Sequence, residues 1–145
     1  MQISVKGIEM LKELEGFREK AYKDTGGVWT IGYGTTKVNG KPVQEGMTTT
    51  PQEAELWLTT DLAEAQTTVN KEVRAPLTQS MFDALVSFVY NVGGDAFSRS
   101  TMLLKLNQRN YLGAACQFDR WVYDNGKKIK GLIARRRIER SLFES

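Results

Sequence analysis

The chain contains no histidine and a single cysteine, Cys116, among its 145 residues. The absence of histidine excludes a Ser-His-Asp triad, a Cys-His pair and every histidine-ligated metal site. One cysteine can form neither an internal disulfide nor a thiolate zinc site. Any hydrolytic chemistry of this chain therefore depends on carboxylates, hydroxyl groups, lysine or water.

Long apolar runs are also missing. Charged side chains interrupt residues 1–16, which therefore lack the apolar core of a secretion signal. No stretch approaches the ~20 apolar residues that span a membrane. We expect a protein with no signal peptide, no transmembrane segment and no stable membrane insertion. The composition, 41% hydrophobic and 26% charged, is typical of a single globular domain.

The chain is weakly basic, because its 20 Lys and Arg residues outnumber its 17 Asp and Glu residues and give a net charge of +3. Most of the excess lies in the C-terminal third, at Lys127, Lys128, Lys130, Arg135, Arg136, Arg137 and Arg140. The simplest interpretation is a solvated helix face. If the charge has a function, its partner is anionic: nucleic acid, an anionic membrane surface or an anionic cell wall.

The periodicity of the hydrophobic residues and the positions of turn and capping residues predict a mostly helical chain with one small β region. The predicted elements are a helix over 3–15, a glycine-rich β region over 22–43, a helix from 51 to about 71, an apolar core helix over 78–92, short helices from 100 to about 106 and from 110 to about 121, and a last helix over 132–143. Asn39-Gly40 predicts a hairpin turn, since both residues tolerate positive φ. Thr50 and Glu53 predict a reciprocal capping box around Pro51.

Two carboxylates and a hydroxyl stand out in and before the β region. Glu15 ends the first helix, where the helix dipole and apolar neighbours favour a protonated carboxyl, as a general acid requires. Asp24 lies in a glycine-rich turn that favours the ionised form, and Thr30 can help to hold a water. A protonated acid opposite an ionised carboxylate is the arrangement that hydrolyses glycosidic bonds. The residues alone leave alternatives open: a surface ion pair for Glu15, an ordinary turn residue for Asp24, and a strand threonine for Thr30.

The spacing Glu15, eight residues, Asp24, five residues, Thr30 resembles the active-site segment of the phage-type lysozymes, the endolysins of glycoside hydrolase family 24, especially their lambdoid-phage branch. Further segments resemble the same family along the chain: 46–51, 75–93, 97–101 and 131–139. The chain departs from the family pattern at Thr35, where many relatives carry a histidine. That histidine is not one of the three catalytic residues of the family. Some relatives begin with an apolar anchor segment, and we expect this chain to be of the kind that has none.

The resemblance implies an α+β, mostly α, lysozyme-like two-lobe fold. In that division residues 16–50 form a β-containing lobe, 51–71 a connecting helix and 72–145 a helical lobe on which helix 3–15 packs. It also implies hydrolysis of the β-1,4 bond between N-acetylmuramic acid and N-acetylglucosamine in peptidoglycan, without metal or cofactor. Glu15 is then the general acid, while Asp24 and Thr30 position the attacking water for inversion.

By position in the family pattern, Tyr90, Ser100 and Gln117 are expected to contact the glycan strand. Tyr90 has core packing as its alternative, and Ser100 has helix capping. The resemblance further implies a monomeric endolysin that accumulates in the host cytoplasm and depends on a holin for release to the periplasmic wall.

Rival functions are a peptidoglycan-binding module without catalysis, and a transglycosylase or chitinase-like enzyme. A nucleic-acid-binding domain has only Arg135, Arg136 and Arg137 in its favour, and the acidic first half of the chain counts against it.

Overall fold

The computed structural model describes all residues, 1–145, and its secondary structure is mostly helical. The elements are α1 (Val5–Glu15), β1 (Arg18–Lys23), β2 (Trp29–Gly32), β3 (Lys37–Val38), β4 (Lys41–Pro42), α2 (Pro51–Glu72), α3 (Gln79–Val92), α4 (Gly94–Ser98), α5 (Thr101–Asn107), α6 (Tyr111–Gln117), a 3₁₀ turn (Phe118–Arg120), β5 (Tyr123–Asp124), β6 (Lys127–Lys128) and α7 (Lys130–Phe143). Three antiparallel hairpins pair β1 with β2, β3 with β4 and β5 with β6. The predicted α+β, mostly α class is confirmed. No helix is long and apolar enough to cross a membrane.

The chain divides into two compact units. One consists of Ile8–Ala63, and the other combines Met1–Gly7 with Glu64–Ser145. The boundaries fall inside α1 and α2, so each of these helices contributes residues to both units. The predicted division into residues 16–50, 51–71 and 72–145 stays a prediction.

The unit Ile8–Ala63 contains the first two hairpins. Asn39 and Gly40 form the β3–β4 turn with φ of 51° and 78°, as their sequence predicts. Strand β1 is not predicted, because its residues are mostly charged and exposed and show no alternation. It forms because its backbone pairs with β2 on one edge, and with the segment around Thr48 through Ala21 and Thr49 on the other.

The start of α2 confirms half of the predicted capping box. The Glu53 amide donates to Thr50 Oγ1 at 3.3 Å, so Thr50 caps the helix. The Glu53 carboxylate does not return the bond to Thr50. It accepts a hydrogen bond of 2.8 Å from the hydroxyl of Thr49 instead.

In the other unit α3 is the central helix, as its composition predicts. Residues 82–89 are all buried, and Thr78 caps the helix by accepting from the Met81 amide. Phe88 packs edge-on against Phe118 and Trp121, with ring centroids 5.3 and 5.4 Å away. Helix α7 packs along α3.

Two polar residues of α3, Asp83 and Ser87, are buried because each has partners from another part of the unit. Asp83 accepts hydrogen bonds from the Ser4 amide and hydroxyl and from Gln79. This holds the N-terminal segment on α3. An added Cβ at Gly7 would lie 2.8 Å from the Asp83 carboxyl carbon, so glycine is needed there for the close approach.

The interpretation of the C-terminal basic residues as one solvated face is wrong for two of them. Arg135 is 8% exposed and Arg136 is 1% exposed, and both bond to the fully buried carboxylate of Glu139. Arg136 also donates to the Trp121 carbonyl and to Asn91 Oδ1. Glu139 lies at helical spacing from both arginines, but Trp121 and Asn91 lie 15 and 45 residues from Arg136, so helical spacing alone does not reveal the burial.

Candidate active site

Glu15 is the last residue of α1 and is half-buried. The helix stops there because Gly16 adopts φ +69°, a left-handed conformation that glycine takes without strain, and its amide closes the last turn on the Lys12 carbonyl at 2.9 Å. Leu11, one turn earlier, is fully buried and fixes the rotation of the helix. The Glu15 carboxyl therefore lies at the negative end of the helix dipole, as the sequence predicts.

Lys12 anchors the turn that carries Glu15. Its ammonium bonds to Glu55 of α2 and to Glu9 at 3.2 Å, and lies 5.9 Å from the centroid of the Tyr33 ring. The hydrogen bond to Glu55 raises the pKa of Lys12 and outweighs the opposing effect of burial. The sequence gives no sign of this link, because Glu55 is 43 residues away and lies on another helix.

Asp24 follows β1 directly and occupies the turn to β2. Its Oδ1 accepts hydrogen bonds from the amides of Gly26 and Val28, both at 2.9 Å. Its own amide donates to the Val28 carbonyl at 3.0 Å. Oδ2 accepts no hydrogen bond from the protein and is therefore the oxygen that can accept from a water.

Thr30 lies on β2 and is 4% exposed. Its hydroxyl donates to the Val28 carbonyl at 3.0 Å. Because the hydroxyl proton is engaged, Oγ1 is left to act as an acceptor. Across the hairpin Thr30 pairs with Tyr22, and Trp29 pairs with Lys23, whose ammonium lies 5.5 Å from the Trp29 ring centroid.

The peptide of Val28 links two of the three predicted residues. Its carbonyl accepts from the Asp24 amide and the Thr30 hydroxyl, and its amide donates to the Asp24 carboxylate. Glu15 belongs to the same unit, and the chain passes from it into β1 and along that strand to Asp24. The alternative interpretations, a turn residue for Asp24 and a strand threonine for Thr30, are thus compatible with a catalytic role, since each residue keeps an acceptor oxygen.

The predicted substrate contacts all lie in the other unit. Tyr90 is half-buried near the end of α3. Ser100 is the N-cap of α5, where its hydroxyl accepts from the Leu103 amide at 3.1 Å and donates to the Phe97 carbonyl at 2.7 Å. Gln117 ends α6 and is half-buried. Capping is therefore observed for Ser100, and the contacts of all three with a glycan stay predictions.

Comparison with known proteins identifies the family. The phage lysozyme family matches residues 12–139. The endolysin of Salmonella phage P22 is 46% identical over 146 residues, covering 100% of this chain and 99% of that protein. The endolysin of Acyrthosiphon pisum secondary endosymbiont phage 1 is 42% identical over 149 residues, covering 100% and 99%.

Solved structures agree over the whole length. The endolysin from Escherichia coli O157:H7 phage FAHEc1 is 41% identical with a TM-score of 0.93, covering 99% of this chain and 93% of that one. A crystal structure of a P22 lysozyme mutant is 44% identical with a TM-score of 0.88, covering 100% and 99%. The resemblance seen in the motif is thereby confirmed, and the chain belongs to the phage lysozyme family.

Proposed function

We propose that Glu15, Asp24 and Thr30 are the catalytic residues of this lysozyme, and that the bond cleaved is the β-1,4 link between N-acetylmuramic acid and N-acetylglucosamine. Membership of the phage lysozyme family makes the chain a glycosidase that acts in bacterial lysis, with peptidoglycan as its substrate. The assignment of the three residues to the reaction is the part that needs a direct test.

The observation that supports the assignment best is the hydrogen bonding around Val28. Asp24 Oδ1 is occupied by two amides while Oδ2 accepts nothing, and the Thr30 proton is occupied by the Val28 carbonyl. We expect one water to donate its two hydrogens to Asp24 Oδ2 and to Thr30 Oγ1. The lone pairs of its oxygen then point away from both residues and are available for attack. Asp24 can then remove a proton from that water as it attacks the anomeric carbon.

Glu15 supplies the complementary step. In its protonated form it gives a proton to the glycosidic oxygen, so the leaving sugar departs as an alcohol rather than an alkoxide. Attack by a free water on the face opposite the leaving group gives inversion, for which the two carboxyl groups stand about 6.5–9.5 Å apart in inverting enzymes generally. No covalent bond to the protein forms.

Substitution of Glu15 by Gln tests the acid. An amide of the same shape cannot donate the proton, so we expect turbidity clearance of chloroform-permeabilised Gram-negative cells to fall by about 10²- to 10⁴-fold. The matched control is Glu13→Gln, which removes an exposed carboxylate from the same helix. The circular dichroism of both variants checks the fold. Clearance by Glu15→Gln at a rate close to that of Glu13→Gln contradicts the assignment.

Product analysis separates hydrolysis from its rivals. Digestion of purified peptidoglycan followed by mass spectrometry is expected to show reducing N-acetylmuramic acid ends. Anhydro-muramic ends indicate a transglycosylase, cleavage of chitin oligomers indicates a chitinase-like enzyme, and an undigested wall with bound protein indicates a binding module.

We further propose that the chain acts as a monomer, accumulates in the host cytoplasm and reaches the wall through a holin. Expression without a holin is expected to leave cells intact until chloroform is added. Prompt lysis on expression alone contradicts this release pathway, and a dimer mass in light scattering contradicts the monomer.

A further inference from the structure

The loop that follows β2 is closed tightly on itself. Ile31 and Thr35 exchange two backbone hydrogen bonds, each 2.9 Å long, across Gly32, Tyr33 and Gly34. Ile31 is fully buried and Thr35 is 1% exposed. Thr30 directly precedes Ile31, so the position of this loop and the position of the Thr30 hydroxyl are set together.

Helix α2 holds the loop at two points. The hydroxyl of Thr35 donates to Oδ2 of Asp61 at 2.9 Å. At Gly32, where φ is +65°, an added Cβ would lie 2.8 Å from the Cβ of Ala54. Ala54 and Asp61 are seven residues apart, two helical turns, and therefore lie on one face of α2. The two contacts fix both the depth and the direction of the loop on that face.

The bond between Thr35 and Asp61 contributes more than packing to this arrangement. A half-buried carboxylate needs donors, and hydrogen bonds to charged groups are about twice as strong as neutral ones. If the Thr35 hydroxyl turns away from Asp61, this hydrogen bond is lost. The bond therefore selects one placement of the loop among the small shifts that apolar packing alone would tolerate.

We propose that Thr35 and Asp61 are positioning residues for the hydrolytic step, acting through Thr30. The inference rests on the proposed role of Thr30. When the bond between them is lost, the loop and the end of β2 shift slightly on α2. Thr30 Oγ1 then no longer holds the attacking water in line, although the binding of the glycan is unaffected.

The test compares Thr35→Val, which keeps the shape and removes the hydroxyl, with Thr35→Ser, which keeps the hydroxyl. Rates are measured on solubilised, uncross-linked peptidoglycan well below the melting temperature. We expect kcat of Thr35→Val to fall about 10- to 100-fold with KM within twofold, since small misplacements in an active site have effects of this size. Thr35→Ser is expected to recover kcat to within threefold of the wild type.

Two comparisons make the test specific to positioning. Val43→Ala removes buried methyl groups from the same unit and is the control for lost stability. The double variant Thr30→Val/Thr35→Val is expected to be no slower than Thr30→Val alone, because a residue that acts through Thr30 has no further effect once that hydroxyl is gone. If Thr35→Val does not fold, Asp61→Ala replaces it in both comparisons.

Three results would overturn the inference: a kcat of Thr35→Val equal to that of Val43→Ala, a Thr35→Ser variant as slow as Thr35→Val, or fully additive losses in the double variant. A Thr30→Val enzyme with wild-type kcat overturns the role of Thr30 itself, and this inference with it. If Thr30→Val is slow while Thr35→Val has the kcat of the wild type, the positioning role of Thr35 and Asp61 is rejected and the catalytic role of Thr30 is kept.

Discussion

Replacing Glu139 by Gln is expected to destabilise the protein severely. Glu139 is fully buried on α7 and forms ion pairs with the two buried guanidiniums of Arg135 and Arg136. It also accepts a hydrogen bond of 2.6 Å from Ser87 of α3. The amide keeps the shape of the side chain but removes its charge. Two buried cations then face a neutral group that cannot accept all three bonds.

The size of the expected loss of stability follows from the burial of the ion pairs. Breaking a buried ion pair by removing one partner costs about 3–5 kcal/mol, because the remaining charge is left uncompensated. Burial already lowers the pKa of Arg136, against the attraction of Glu139, and the loss of Glu139 removes that opposing attraction. For a protein of this size 1 kcal/mol corresponds to roughly 2–4 °C, so the melting temperature is expected to fall by about 6–20 °C.

The matched control is Glu144→Gln in the residue that follows the same helix. Glu144 bonds to Arg140 at 3.1 Å in an exposed pair, and exposed pairs contribute about 0–1 kcal/mol. Thermal unfolding by circular dichroism and urea titration at neutral pH measure both variants. A loss for Glu139→Gln no greater than that for Glu144→Gln would refute the view that the buried carboxylate compensates Arg135 and Arg136.

Further predictions concern one ion pair, one close glycine contact and one helix cap. Lys12→Met is expected to lower the free energy of unfolding by up to about 1 kcal/mol, since the Lys12 ion pairs are partly exposed. The pKa of Lys12 is raised in the folded state, so this stabilisation is complete below the unfolded pKa of about 10.4 and disappears as pH rises through the folded pKa; a wild-type advantage that persists unchanged above that range contradicts it. Gly32→Ala is expected to be destabilised by about 1–3 kcal/mol in urea titration, because its Cβ would overlap Ala54 at a positive φ. Gly27 also has a positive φ but no close neighbour, so Gly27→Ala is the milder control. Thr78→Ala is expected to lose about 0.5–2 kcal/mol with the N-cap of α3, and a neutral result would contradict the cap.

Local signals in the sequence predict local structure well. Thr78, Ser100 and Asn110 each cap the helix that follows, by accepting an amide hydrogen bond three residues ahead. The Asn39-Gly40 turn needs only two neighbouring residues in left-handed conformations. In these cases the interacting groups are close in sequence, so composition and spacing contain the whole interaction.

Strand β1 shows where local signals fail. Its sequence, Arg-Glu-Lys-Ala-Tyr-Lys, has neither β-branched residues nor alternation, and most of it is exposed. Its conformation comes from backbone pairing on both edges, which side-chain patterns do not record. The arginines of α7 show a related failure: their charge predicts exposure, and only the fold brings Ser87 and Asn91 of α3 into contact with them.

The candidate site divides in the same way between what is local and what is distant. Glu15, Asp24 and Thr30 lie within sixteen residues, so a short motif identifies all three, and the turn that joins two of them is built around one peptide, that of Val28. The contacts of their neighbours come from α2: Glu55 bonds to Lys12, three residues before Glu15, and Asp61 bonds to Thr35, five residues after Thr30. Neither Glu55 nor Asp61 belongs to a recognisable sequence pattern, because their partners, Lys12 and Thr35, lie 43 and 26 residues earlier in the chain. The residues proposed for the chemistry are thus visible in the sequence, while the residues proposed to position them become visible only when helix α2, which carries them, is placed.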